Sequence, residues 1–343
     1  MHLTWQRRNL HLRHPFNIAR AQTSHTVDKQ VLLVRIMHDD RVGWGEAAPS
    51  TYYRQSLDSA ESVFAAAGEI IGDDPFALDR ILDTLWARFP DQSAAIAAID
   101  GALHDLIGKL LDIPIWKMLG LDRSRCPLTS FTIGLDDPEA IAGKLREAVD
   151  YPILKIKVGT AQDAAILKAI RRVAPDKPLR VDANCGWSSA DVLERCRRMA
   201  DFGVELIEQP TPRGEHAGLP AVRAAGLPPL LADESCINLD EVLPCAEAFD
   251  GINIKLCKCG GIRRALPMIH AAQATGLKVM LGCMVETSVG IAAAAQLAPL
   301  ADYIDLDGHL LLADDPFEGI GGTAGRLTLN DEPGLGIRER QSV

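Results

Sequence analysis

The feature that most restricts how this chain can fold is a charged residue that returns at nearly constant spacing. Lys157, Asp182, Glu208, Asp233 and Lys255 stand 25, 26, 25 and 22 residues apart. Each closes a short apolar run: ILKIK, PLRVD, VELIE, PLLAD and GINIK. A helix-like stretch follows each run. This interval is about one strand–helix unit of a parallel α/β protein. Two lysines and three carboxylates therefore stand at the same end of five successive strands. In a barrel of such units that end is the active-site face.

The period extends to eight strand candidates: 128–133, 153–157, 179–182, 204–208, 230–233, 252–255, 278–282 and 303–306. Helical patterns fill the gaps at 137–149, 161–173, 188–202, 215–225, 239–248, 261–275 and 286–298. Eight strands with seven helices predict a modified (β/α)7β TIM barrel over residues 123–314. A doubly wound open sheet competes, but it does not ordinarily line charged residues along five consecutive strand ends. Upstream, strands are expected at 2–12 and 29–37, a turn-rich exit at WGEAAP, and helices at 56–71, 75–88 and 91–110. This order gives an N-terminal α+β domain over 1–122. The Gly-rich tail, about 315–343, is expected to return to it and complete it.

Composition narrows the partners. A net charge of −10 disfavours nucleic acid and anionic membrane surfaces. No apolar run reaches the length of a membrane span. The opening MHLTWQRRNLHLRHPF lacks the apolar stretch of a secretory signal, so a cytoplasmic location is expected. The eight cysteines form no CxxC pair and read as reduced, buried thiols. Cys257 and Cys259, flanking Lys258, have no partner pair at metal-ligand spacing.

Asp182, Glu208 and Asp233 end adjacent strands, which lie about 4.8 Å apart in a sheet. Three carboxylates in so small a volume repel unless a cation or protons neutralise them. The ligand set is all oxygen, which points to Mg²⁺ rather than Zn²⁺. A lone Asp at such a junction more often caps the next helix. Three in succession, framed by lysines, favour the metal. Asn184 and Glu234, one or two places beyond a ligand, suit an outer layer that orients the ligands.

Lys155 and Lys157, two apart on one strand, share a face. Lys255 ends the sixth barrel strand, opposite the second. A substrate between them would meet an amine on each side. Two opposed bases suit removal of a proton from one face of a carbon next to a carboxylate and its return to the other, which is racemisation or epimerisation. The plainer reading makes the lysines salt-bridge partners of the carboxylates. Lys155 is assigned to the substrate carboxylate or to a supporting role, and Lys157 and Lys255 to catalysis.

KIK at 155–157, DAN at 182–184, EQP at 208–210, DES at 233–235 and NIK at 253–255 resemble, in order, the muconate-lactonizing subgroup of the enolase superfamily. WGE at 44–46 resembles the exit of that family's capping domain. The resemblance covers nearly the whole chain. It implies Lys157 and Lys255 as the acid/base pair, with one Mg²⁺ per subunit on Asp182, Glu208 and Asp233. It also implies an enediolate intermediate stabilised by the metal and a homo-oligomer. The mandelate-racemase subgroup would need a His near the end of strand 7, where this chain has GCMVETS.

Asp305 and Asp307 are similar to the Asp-x-Asp motif with which dipeptide epimerases bind the substrate's α-ammonium. The plainer reading is a helix cap or a salt bridge to a nearby Lys or Arg. Thr132 and Met284 are further candidate substrate contacts. The implied activity is epimerisation of the C-terminal α-carbon of an L-Ala-L-Xaa dipeptide. For the side chain, Arg20 and Arg54 could receive a carboxylate. Some relatives instead carry their arginine where this chain has Gln22, Thr23 or Ser24, which counts against a Glu-bearing substrate. Tyr52 and Tyr53 could line an apolar pocket. Two other functions compete: a cycloisomerase or o-succinylbenzoate synthase-type enzyme on the same site, and a non-catalytic protein on an enzyme scaffold.

Overall fold

The computed structural model describes residues 1–19 and 28–341. The chain begins with an antiparallel sheet of β1 (His2–His11), β2 (Asp28–His38) and β3 (Arg41–Ala47), in that order. The middle of β2 is buried on both faces. Leu33 joins the barrel core, while Leu32, Val34 and Ile36 join a second core under the first helices. The period-2 alternation of a strand thus feeds two hydrophobic cores at once. Those helices are α1 (Leu57–Ile70), α2 (Leu78–Arg88) and α3 (Ser93–Leu110). Ser56 and Ser59 form a reciprocal capping box that starts α1.

β3 corrects the sequence reading, which expected a turn-rich exit at WGE. Its glycines serve close packing rather than a turn. A Cβ at Gly43 would lie 2.7 Å from Leu106 N of α3, and one at Gly45 would lie 2.8 Å from the Ala98 carbonyl carbon. Without side chains there, the Ala-rich α3 lies directly on the sheet, buried along nearly its whole length.

After α4 (Ile115–Met118) comes the barrel. Its strands are β4 (Phe131–Ile133), β5 (Leu154–Lys157), β6 (Leu179–Asp182), β7 (Val204–Glu208), β8 (Leu230–Ala232), β9 (Gly251–Ile254), β10 (Lys278–Gly282) and β11 (Tyr303–Asp305). They are parallel and ordered consecutively. A bridge between Thr129 and Ile304 joins the two edges, so the sheet curls into a barrel instead of staying open.

Outside run α5 (Pro138–Glu147), α6 (Asp163–Val173), α7 (Val192–Asp201), α8 (Leu219–Ala224), α9 (Val242–Cys245), α10 (Leu256–Cys259), α11 (Ile262–Ala274) and α12 (Ser288–Ala295). The helix expected at 239–248 is a 3-10 turn, Leu239–Glu241, followed by the short α9. α10 was not foreseen. A 3-10 turn, Gly308–Leu311, follows β11 where an eighth helix would stand.

The main core lies between strands and helices. Inside the barrel a small plug of Leu206, Leu231 and Met280 closes the lower end. Beyond β11 the tail forms β12 (Phe317–Glu318) and β13 (Arg338–Glu339). It reaches back to the first residues and to α3: Leu12 bridges Leu312, and Leu335 N donates to Asp105 at 2.8 Å. Glu46 of β3 accepts from Thr287 N and Gly290 N at the start of α12. All eight cysteines are free thiols.

Candidate active site

Strand register builds the site. Lys157 is the ladder partner of Asp182, and Asp182 of Glu208. Asp233 follows β8 and Lys255 follows β9, so the five residues form an arc over five consecutive strands. One ligand oxygen from each of Asp182, Glu208 and Asp233 lies within 4.8 Å of the others, and all three residues are buried. Backbone conformation turns sharply just beyond two of these strands: Asn184, Cys185 and Gln209 have φ of 43°, 65° and 32°. Left-handed residues other than glycine carry strain that the surrounding packing must hold.

The ammonium groups set the electrostatics. Lys157 Nζ lies 2.7 Å from Asp182 Oδ2, and Lys255 Nζ lies 2.8 Å from Asp233 Oδ2. Lys155 lies one layer deeper, almost without exposure. Its Nζ is 2.5 Å from Asp305 Oδ2, 2.6 Å from Glu208 Oε2 and 3.3 Å from Asp182 Oδ2. Burial opposes charge on Lys155, but Asp305, Glu208 and Asp182 outweigh it and hold the ammonium well above the usual lysine value. Burial likewise disfavours charge on Lys255, and Asp233 with Glu208 reverses this. Asp182 and Asp233 stay below the usual carboxylate range despite burial, because lysines face them. Glu208 is pushed up to about 7 by burial and by Asp182.

Three residues that hold the ligands were missed in the sequence. Lys258 of α10 shares its three N–H groups among four acceptors, Asp233 Oδ1 at 2.5 Å and the carbonyls of Asp233, Asn253 and Cys236 at 2.7, 2.9 and 3.2 Å. Asn253 Nδ2 donates to Glu208 Oε1 at 2.8 Å. Gln209 Oε1 accepts from the backbone of both Asp233 and Ser235. Asn253 carried a readable signal, because it stands two places before Lys255 on the same strand face. Lys258 carried none, since its placement depends on the short helix α10.

A cavity of about 210 Å³ opens on this arc. Thr132, Met284, Asn184, Asp305, Asp307 and all three strand lysines line it, with Phe16 above Lys157. Asn184 N donates to Asp182 Oδ1 at 2.9 Å, and Glu234 is fully buried beside the ligands. Asp305 is held by Lys155 and by Ser130 Oγ at 2.6 Å. Asp307 Oδ2 accepts from Thr132 N at 2.5 Å, and burial with Asp305 raises its carboxyl to about 7. The two aspartates therefore differ: one is neutralised from within, the other is poised. Arg20, together with Gln22, Thr23 and Ser24, lies outside the described residues. Tyr52, Tyr53 and Arg54 line a separate cavity of about 1050 Å³ beside Trp86 and Arg264, whose wall includes Lys258 but none of the five residues of the arc. The expectation that they would flank the substrate is corrected: the 3-10 turn Thr51–Tyr53 turns them toward α2 and α11.

The donor set fits a hard divalent cation. Every convergent ligand is a carboxylate oxygen. Glu208 Oε2 is buried and accepts no directed hydrogen bond among the described residues, although Lys155 is at ion-pair distance. An acceptor left in that state favours a further positive charge.

Residues 2–120 match the family model "Mandelate racemase / muconate lactonizing enzyme, N-terminal domain", and residues 139–343 match "Enolase C-terminal domain-like". The chain is 40% identical over 339 residues to the L-Ala-D/L-Glu epimerase of Bacteroides thetaiotaomicron, covering 98% of this chain and 88% of that protein. Among solved structures it is similar to the dipeptide epimerase of Enterococcus faecalis complexed with Mg and L-Leu-L-Tyr. The TM-score is 0.89 at 34% identity, with 98% of each chain covered. It is also similar to the substrate-liganded L-Ala-D/L-Glu epimerase of Bacillus subtilis, with a TM-score of 0.91 at 32% identity and 98% of each chain covered.

Proposed function

We propose that this chain, which belongs to the mandelate racemase / muconate lactonizing enzyme family of the enolase superfamily, is a Mg²⁺-dependent dipeptide epimerase. The reaction inverts the α-carbon of the C-terminal residue of an L-Ala-L-Xaa type dipeptide. One observation carries this reading. Lys157 and Lys255, on strands that face each other across the barrel, line one cavity together with Asp307, and each is paired with a member of the buried carboxylate triad. The relatives named as dipeptide epimerases support it.

Asp182, Glu208 and Asp233 would hold the cation, with Asn184 and Glu234 behind them. When bound, Mg²⁺ supplies positive charge that stabilises the negative charge left on the substrate carboxylate as the α-proton departs. Asp307 receives the substrate's α-ammonium, and Thr132 N fixes the carboxylate that does so. Asp305 acts through Lys155: the pair keeps a buried cation beneath Glu208 and Asp182. One of Lys157 and Lys255, as the neutral amine, takes the α-proton. The electrons of the C–H bond pass into the adjoining carboxylate. The opposed lysine, as ammonium, delivers its proton to the other face of the same carbon. Met284, and any contact from Arg20, touch the remainder of the substrate. The division into a capping domain over 1–122, completed by the tail from about 315, and a barrel over 123–314 belongs to the same proposal. In it, the β1–β3 sheet covers the barrel mouth and shuts out water.

The test is solvent exchange. Incubation with Mg²⁺ and L,L-dipeptides in D₂O should place deuterium on the α-carbon of the C-terminal residue, with both epimers appearing by NMR. If no dipeptide exchanges while an amine-free carboxylate substrate cyclises or dehydrates, the cycloisomerase or synthase alternative replaces this reading.

A further inference from the structure

One cation on the cavity wall is used by none of these roles. Lys29, the second residue of β2, lines the same cavity as Lys155, Lys157, Asp307 and Met284. Its backbone is the ladder partner of Leu10, so the sheet fixes where the side chain starts. The residue as a whole is exposed.

No carboxylate among the described residues neutralises it. Partial burial alone lowers its pKa, with no acidic neighbour pushing the other way. The adjacent Asp28 faces His11 on the neighbouring strand, whose ring it acts upon. Residues 20–27, RAQTSHTV, contain no Asp or Glu, so that stretch of sequence offers no counter-charge either. Gln30 and Ser50 line the cavity beside Lys29, while Phe16, Ile18 and Val285 supply apolar surface. The cavity is small for a ligand site, where several hundred Å³ is about the ordinary size.

A charge without an internal partner on the wall of a ligand cavity recruits the opposite charge from the ligand. The floor already matches an ammonium at Asp307 and a carboxylate at the lysines. A cation at the lip calls for a second carboxylate on the same substrate.

We propose that Lys29 is a specificity-determining residue, and that the residue undergoing inversion carries an acidic side chain of the glutamate class. This rests on the dipeptide-epimerase reading above. It assigns acidic selectivity to a lysine on the β1–β3 sheet. A charge-assisted pair at this lip gains strength from the neighbouring apolar surface and weakens as salt rises.

The experiment compares L-Ala-L-Glu with its neutral isostere L-Ala-L-Gln, and with L-Ala-L-Lys, by α-deuterium uptake in D₂O with Mg²⁺. The parent enzyme should favour L-Ala-L-Glu over L-Ala-L-Gln by about tenfold in kcat/KM, a factor that corresponds to the modest energy of such a pair. K29M should collapse that ratio toward one, K29R should retain it, and K29E should shift preference toward L-Ala-L-Lys. Equal use of L-Ala-L-Glu and L-Ala-L-Gln by the parent, or an unchanged ratio in K29M, overturns the proposal while leaving the epimerase reading intact. Exchange with no dipeptide at all overturns both.

Discussion

Replacement of Lys258 by methionine tests how the site is held. The ammonium shares its three N–H groups among Asp233 Oδ1 and three buried carbonyls, those of Asp233, Asn253 and Cys236. Methionine keeps the length and packing of the stem but removes every donor. Removing one partner of a buried ion pair costs about 3–5 kcal/mol, because the remaining charge and carbonyls lose their compensation. Lys255 still faces Asp233 Oδ2 at 2.8 Å, which places the expected loss near the lower end, about 3 kcal/mol. For a chain of this size that corresponds to a fall in Tm of about 4 °C. Urea unfolding of metal-free protein, followed by circular dichroism, reads the loss directly. K258R should lose less, since it retains a charge at the same place. A K258M variant within about 1 kcal/mol of the parent would refute the reasoning. It would mean that the loop from Asp233 to Cys236 holds its shape without the lysine.

Three further outcomes are expected. K157A and K255A should each abolish epimerisation, yet each should leave α-deuterium exchange from the epimer whose proton faces the surviving lysine. Full activity in either variant, measured by polarimetry, would remove the two-base mechanism. Because burial and Asp305 raise Asp307 to about 7, its carboxylate forms as pH climbs through neutrality. The kcat/KM for dipeptides should therefore rise across that range, and D307N should flatten the rise and increase KM about tenfold. Burial and Glu286 raise Glu46 to about 8 in the folded protein, from an ordinary value of 4.5. The folded state thus holds this proton more tightly than the unfolded chain, so the contribution is present at acid pH and is lost as pH rises from about 4.5 towards 8. E46Q should flatten that segment of a pH-resolved denaturation series, and an identical slope in parent and variant would exclude Glu46 as its source.

The barrel and its arc of charges were legible because they follow from local periodicity. A strand end recurring every 22 to 26 residues places Lys157, Asp182, Glu208, Asp233 and Lys255 at one rim whatever the details of packing. β3 was not legible. The GWG stretch has the composition of a turn, and only the approach of α3 explains why side chains are missing there. Tyr52 and Tyr53 were misplaced for a related reason: a loop's position in sequence does not say which of two cavities it will face.

The alternation of strands and helices, the rim on which the charges stand, and the oxygen-only donor set that selects a hard cation all follow from residue order alone. Which charges neutralise one another depends on how remote segments pack. Asp305 pairs with Lys155 across about 150 residues of chain, while Asp307, two places on, is kept from its usual acidity. Lys258 lies beneath Asp233, and Lys29 stands at the lip without a counter-charge among the described residues. Periodicity fixes direction along a strand or helix, but the strength of an ion pair depends on distance and burial, and these arise only when remote segments pack together.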